Sequence, residues 1–256
     1  MTHAESDLNG QAGLAAGAVD AAAAAAELRA KFGVMTQDEA KENAFARILL
    51  LGPAKAGKTT AIAGTAPKPL VLNCDGLSAT KGAKRVHSAS RFDVIDVNSR
   101  ASLIHAVKAA EAMVAAGHTR TVILDTATLL VDNILDEVTK AGFEGWDRWD
   151  ELEKAVMGSV KRLAALEAHL FVISHMDPTK DPAQGILPTI GGKLKTRLPA
   201  MLDDWILLDV DPERDPERVF LLGPQKTWTH SGRNIRRKCM VEADVEALFE
   251  ELGITP

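Results

Sequence analysis

The chain has 256 residues, of which 46% are hydrophobic, 25% charged and only 4% aromatic, with 30 basic against 35 acidic side chains. This is the composition of a soluble globular protein with enough chain for one large domain, and a net charge of −5 argues against a polybasic nucleic-acid coat, leaving any such contact to a local patch. Two cysteines, Cys74 and Cys239, neither in a C-x-x-C pair, argue against a disulfide framework or zinc ribbon and fit a reducing, cytoplasmic setting, while no apolar run reaches the roughly 18 residues that span a bilayer.

Residues 1–43 differ from the rest. Gly10, Gly13 and Gly17 lie among alanines with nothing large to bury, so a flexible Ala-rich arm is expected. Within it, residues 20–32 read as a helix, with Asp20 as N-cap and Gly33 as its stop. The alanine tract at 21–26 lacks the basic and leucine-rich flanks of a signal peptide. Two readings of the arm stay open: a tail without function, or an arm whose Leu28 and Phe32, at i and i+4, dock on a neighbouring subunit.

Residues 44–256 read as one domain. Short apolar runs at 46–51, 69–74, 94–97, 121–125, 169–174, 205–210 and 219–222 are predicted strands. Helical periodicity appears at 101–116, with Leu103, Val107, Ala110 and Val114 on one face, and at 149–166, with Leu152, Val156, Val160, Leu163 and Leu166. Strand and helix in alternation predict an α/β fold, a mostly parallel sheet with helices on both faces. The short turns at Asp211-Pro212 and Gly223-Pro224 leave no room for helical crossovers and predict an antiparallel C-terminal extension.

Gly52-Pro53-Ala54-Lys55-Ala56-Gly57-Lys58-Thr59 satisfies G-x-x-x-x-G-K-[ST] between a predicted strand and a helical stretch that begins at Thr60. The glycines let successive N–H groups turn inward on phosphate oxygens, and the helix N-terminus adds its dipole. Lys58 is placed to reach the β- and γ-phosphates of ATP, and the Thr59 hydroxyl to hold Mg2+. Residues 122–126 end an apolar strand in Asp125, the candidate second anchor for the metal. Asp75, after Asn73-Cys74, is placed either to orient an attacking water or to serve as a turn acid before Gly76; His175, after Ser174, is either a polar sensor or a satisfied core histidine. The N-K-x-D of guanine-nucleotide switches is absent, and Lys81, Lys84 and Arg85 only faintly suggest a kinase lid.

The order of these segments (the 52–59 loop, Asn73-Cys74-Asp75, 121–126, Phe171 to His175, then a Pro/Gly-rich loop closing on Ile190-Gly191-Gly192-Lys193-Leu194-Lys195) resembles the RecA-like phosphate-loop ATPases, over about residues 45–252. Within that class it is most similar to the small phage-encoded nucleotide-binding proteins that act as single-strand annealing recombinases. The resemblance implies a RecA-like core without the long C-terminal domain of the bacterial recombinase, ATP hydrolysis with magnesium, and assembly into a filament or ring. It puts Asp75 at the position of the catalytic glutamate, one methylene shorter and therefore slower, and His175 at that of the glutamine that senses the γ-phosphate. The implied partners are single-stranded DNA, further copies of the chain and a phage or host single-strand-binding protein, in the bacterial cytoplasm and away from membranes.

In the resembling proteins the loop at 176–191 is one of those that touch single-stranded DNA. From 178 to 197, Lys180, Lys193, Lys195 and Arg197 face only Asp181, a local charge of +3 in an acidic protein; phosphate neutralisation by these four is the expected source of affinity. With no aromatic residue in the loop, contact is expected through the backbone and not through stacked bases. By the same resemblance Lys226 and Arg233 are candidates to reach a neighbour's γ-phosphate, against the plainer reading of a charged sheet edge that extends to Arg236, Arg237 and Lys238. Trp146 and Trp149 read as N-terminal staples buried against the sheet in preference to a stacking platform. Three rival functions remain: a helicase loader or motor with a protein partner, a small-molecule phosphotransferase, and a non-hydrolysing nucleotide-gated module.

Overall fold

The computed structural model describes residues 45–75, 92–176, 187–222, 235 and 239–254, with Ala24, Glu27, Arg29 and Lys31 in the arm. The chain divides into two units, Met1–Ala44 and Phe45–Pro256. In the first, the four described residues are helical and exposed, within the span that propensity assigns to a helix; Leu28 and Phe32 lie outside the described residues.

The second unit carries eight described strands in one sheet: β1 (Arg47–Gly52), β2 (Pro69–Asn73), β3 (Asp93–Asp96), β4 (Thr121–Asp125), β5 (His169–His175), β6 (Asp204–Val210), β7 (Arg218–Leu222) and β8 (Cys239–Glu242), in the order β3-β2-β4-β5-β1-β6-β7-β8. The first six pair in parallel, and β7 adds antiparallel after the turn at 211–217, as predicted; β8, which the sequence reading did not anticipate, pairs antiparallel with β7 across a longer connection, and the predicted turn at Gly223-Pro224 lies outside the described residues. Helices are α1 (Lys58–Ala63), α2 (Arg100–Ala115), α3 (Ala127–Lys140), α4 (Gly145–Ala164), the single turn α5 (Leu194–Arg197) and α6 (Val245–Leu252). The strand alternation sorts side chains onto two cores. Leu49, Leu51, Leu72, Leu124 and Val172 face α2, α3 and α4. Ile48, Leu50, Val71, Ile123 and Ile173 face α1 and α6.

Helix starts are set by side-chain caps. Ser99 and Ser102 form a reciprocal capping box at α2, Thr126 accepts from the Leu129 amide at α3, and Asp244 accepts from Glu246 and Ala247 at α6. The structure also corrects the sequence reading of the helices: α3 and α6 were not anticipated, and α4 begins at Gly145, so both tryptophans lie inside it. No helix among the described residues is long and apolar enough to cross a membrane.

Candidate functional site

Register brings the carboxyl ends of the central strands into one row: Gly52 of β1 stands beside His175 of β5, and Asp125 of β4 beside Asn73 of β2. In an open parallel sheet this edge is where loops converge and ligands bind. The connection from β1 to α1 is tight because two residues take left-handed backbone, Lys55 at φ 63° and Gly57 at φ 91°. A Cβ on Gly52 would be crowded, meeting the Leu208 carbonyl at 3.2 Å and the Lys58 stem at 3.3 Å. Pro53, Ala54 and Lys55 form the exposed rim, while Ala56, Thr59 and Thr60 are half-buried.

Lys58 is only 5% exposed, and its ammonium lies inside the loop, donating to the Gly52 and Pro53 carbonyls at 3.0 and 2.7 Å. Burial lowers its pKa to about 8, with Asp125 and then Asp75 pulling it back up. Thr59 Oγ1 donates to Asp125 Oδ2 at 2.6 Å. Asp125 is 1% exposed; burial raises its pKa to about 6, opposed by the Thr59 hydrogen bond and Lys58 and reinforced by Asp75. Its second oxygen, Oδ1, is buried with no hydrogen-bond partner. Such an atom needs an explanation, and a carboxylate oxygen beside a threonine hydroxyl is the donor set that suits a hard cation. Thr59 and Asp125 therefore fit magnesium, which when bound with a triphosphate would supply charge neutralisation at the phosphate oxygens.

Asp75 is brought to the same place. The Thr126 hydroxyl donates to its Oδ1 at 3.1 Å, and the Cys74 amide donates to the Asp125 carbonyl at 2.5 Å, strapping the end of β2 to that of β4. Burial, and secondarily the Asp125 and Asp75 charges, push the Cys74 thiol far above its ordinary range, so it stays protonated. His175 is half-buried, its amide donating to Thr128 Oγ1 at 3.0 Å, and Thr128 shares a 3.0 Å hydrogen bond with Ser174. Burial, then Lys58, lower the imidazole's pKa against the pull of Asp75, which keeps the ring neutral at neutral pH.

From His175 a short path leads to the loop flank. Its carbonyl accepts from the Thr189 amide at 2.8 Å, and Met176 and Pro188 form a bridge. Gly191 and Gly192 then close on the Trp149 ring, where a Cβ on Gly192 would come within 3.0 Å. Trp149 thus packs on this turn, and Trp146 is 77% exposed; the staple reading fails for Trp146 because its position on α4 turns it to solvent. Lys193 is exposed and Lys195 half-buried, whereas the Arg197 guanidinium is ion-paired with Glu153, so part of the expected basic patch is already neutralised. Lys180, Lys226 and Arg233 lie outside the described residues.

Three contributors escaped the sequence reading. Thr126 and Thr128 sit on the first turn of the unanticipated α3. Arg218 opens β7; because that strand runs antiparallel, its first residue falls at the edge where its parallel neighbours end, and Arg218 Nε donates to the loop carbonyl of Ala56 at 3.2 Å. The signal available was the short turn before the strand, which already implied the reversal.

A left-handed glycine loop, a buried lysine inside it and a threonine-carboxylate pair beside it, all on the carboxyl edge of this sheet, define a RecA-like phosphate-loop nucleotide-binding domain. Residues 44–234 match the family model AAA_24, described as an AAA domain, and the chain belongs to that family. No curated protein matches it. Among solved structures it is similar to an ATPase from the type III secretion system of pathogenic bacteria, at 15% identity and a TM-score of 0.45, over 64% of this chain and 52% of that one. The chain thus spans about half the length of that protein.

Proposed function

We propose that the protein is an ATPase that binds single-stranded DNA in an ATP-dependent manner and promotes strand annealing or pairing, as phage-type recombination requires. Lys58 and the loop amides hold the phosphates, Thr59 and Asp125 hold magnesium, Asp75 orients the attacking water and His175 senses the γ-phosphate. The observation that carries the reading is the hydrogen bond from Thr189 to the His175 carbonyl. It joins a ring beside Lys58 and Asp75 to the base of the 176–191 loop, whose far flank carries Lys193 and Lys195. Lys226 and Arg233, if brought to a neighbouring copy, act in trans.

The test is ATP hydrolysis with and without oligonucleotide. Single strands raise turnover in the native protein, and Lys58→Ala abolishes nucleotide binding and turnover together. Undiminished hydrolysis in that variant, or hydrolysis indifferent to DNA, overturns the proposal. A protein partner is the second reading, favoured by the exposed Trp146 beside Phe143 on the α3–α4 corner. On that reading ATP brings no gain in affinity for single strands.

A further inference from the structure

Beside the phosphate loop lies a cavity of about 260 Å³ to which no role has yet been given. Gly57, Thr60, Ala61 and Thr65, on the loop, on α1 and just past its end, line it together with Glu217 and Arg218. The α1 residues belong to the turn that follows the loop amides.

We infer that a triphosphate seated on the loop amides directs its sugar and base along this turn into the cavity, where Arg218 recognises the nucleoside half by stacking on the base. This rests on the nucleotide-binding reading above and adds a recognition residue to it. Two observations support it. The guanidinium lies against the loop: a Cβ built on Gly57 would meet Arg218 Nε at 3.2 Å and its terminal carbon at 3.8 Å. Only Nε is spent on the protein's own loop, at Ala56 O; the Glu217 carboxylate stands 3.6 Å from Nη2, a loose contact that leaves the plane open. A planar, permanently charged guanidinium with one free face stacks on an aromatic base, which an ammonium does less well.

Sequence alone hides this arrangement, because Arg218 and Ala56 are 162 residues apart. It forms because β7 is antiparallel and starts at the working edge. The same packing gives position 57 a second reason to be glycine: beyond its left-handed φ of 91°, the arginine fills the space where a side chain would go.

Equilibrium binding of ATP and inorganic tripolyphosphate separates the roles. Tripolyphosphate reports the loop alone. The native protein is expected to prefer ATP. Arg218→Ala is expected to weaken ATP by about tenfold more than it weakens tripolyphosphate, with Arg218→Lys recovering little. If Arg218→Ala weakens tripolyphosphate as much as ATP, the arginine merely props the loop through Ala56 and the inference is wrong. If it changes neither, Arg218 does not touch the nucleotide, and the inference again falls while the phosphate-loop reading survives. Failure of the native protein to bind either ligand removes that reading and this one together.

Discussion

Asp125 concentrates the electrostatics of the site in one side chain: one oxygen is satisfied by Thr59 and the other faces no donor. Asp125→Asn keeps the shape and removes the charge, so ATP affinity in magnesium is expected to fall by about tenfold or more, with little change when magnesium is chelated; isothermal titration in both conditions measures this. The native magnesium-dependent gain should fade as pH drops through about 6, because burial has raised this carboxyl's pKa to that value and its proton competes with the cation. His169, at the start of β5, works in the opposite sense for stability. Its Nδ1 accepts from the Ala46 amide at 3.1 Å, and burial, then Arg120 and Arg47, lower its pKa to about 4. A depressed imidazole contributes stability present above its unfolded pKa near 6.5 and lost as pH falls towards 4, about 3 kcal/mol at most. Asp125, with a raised pKa, makes the metal-free protein more stable over nearly the same acidic range. The two are separated by comparing urea midpoints of native protein and His169→Asn, which keeps an acceptor but cannot titrate. The variant should be less stable at pH 7 and lack the acid-side loss; parallel pH curves would contradict this.

At the scale of elements, the phosphate loop and Asp125 were legible because their chemistry is local: eight consecutive residues, and an acid after four strand residues that are buried in full. The first seven strands were legible for the same reason, each being a short apolar run, whereas β8 (Cys239-Met240-Val241-Glu242, half-buried and exposed in alternation) was not. Helix α3 was not, although Leu130, Val131, Ile134 and Val138 form its buried stripe, because it follows β4 after the single cap residue Thr126, and the run reads on as more strand. With it went Thr126 and Thr128, which tie Asp75 and His175 into place. Arg218, Trp146 and the Arg197–Glu153 pair depend on which elements become neighbours, and that is decided by sheet order and helix start. The turn at Gly191 and Gly192 is a case where local strain and a distant partner meet. Gly192→Ala places a side chain at φ 64° and 3.0 Å from the Trp149 ring, so a loss of roughly 1–2 kcal/mol in stability is expected, with a change in tryptophan emission. An unchanged midpoint and spectrum would show that the turn does not rest on Trp149.

For the whole molecule, a net charge of −5 first counted against a nucleic-acid partner. The fold narrows that inference, since Lys193 and Lys195 lie on the flank of the loop that leaves the site through His175, and whole-chain charge averages over them. On the proposed reading a stacked base has a ring to meet as well: Trp146, open to solvent, lines the same cavity as Gly191, Gly192 and Lys193. The central claim is that nucleotide binding at the carboxyl edge of the sheet controls affinity for single strands, and it is measured directly by fluorescence anisotropy of a labelled oligonucleotide, with and without a non-hydrolysable ATP analogue, across a salt series. The account predicts tighter binding with the analogue and affinity that falls steeply as salt rises. Equal affinity with and without the analogue, or binding indifferent to salt, would contradict it.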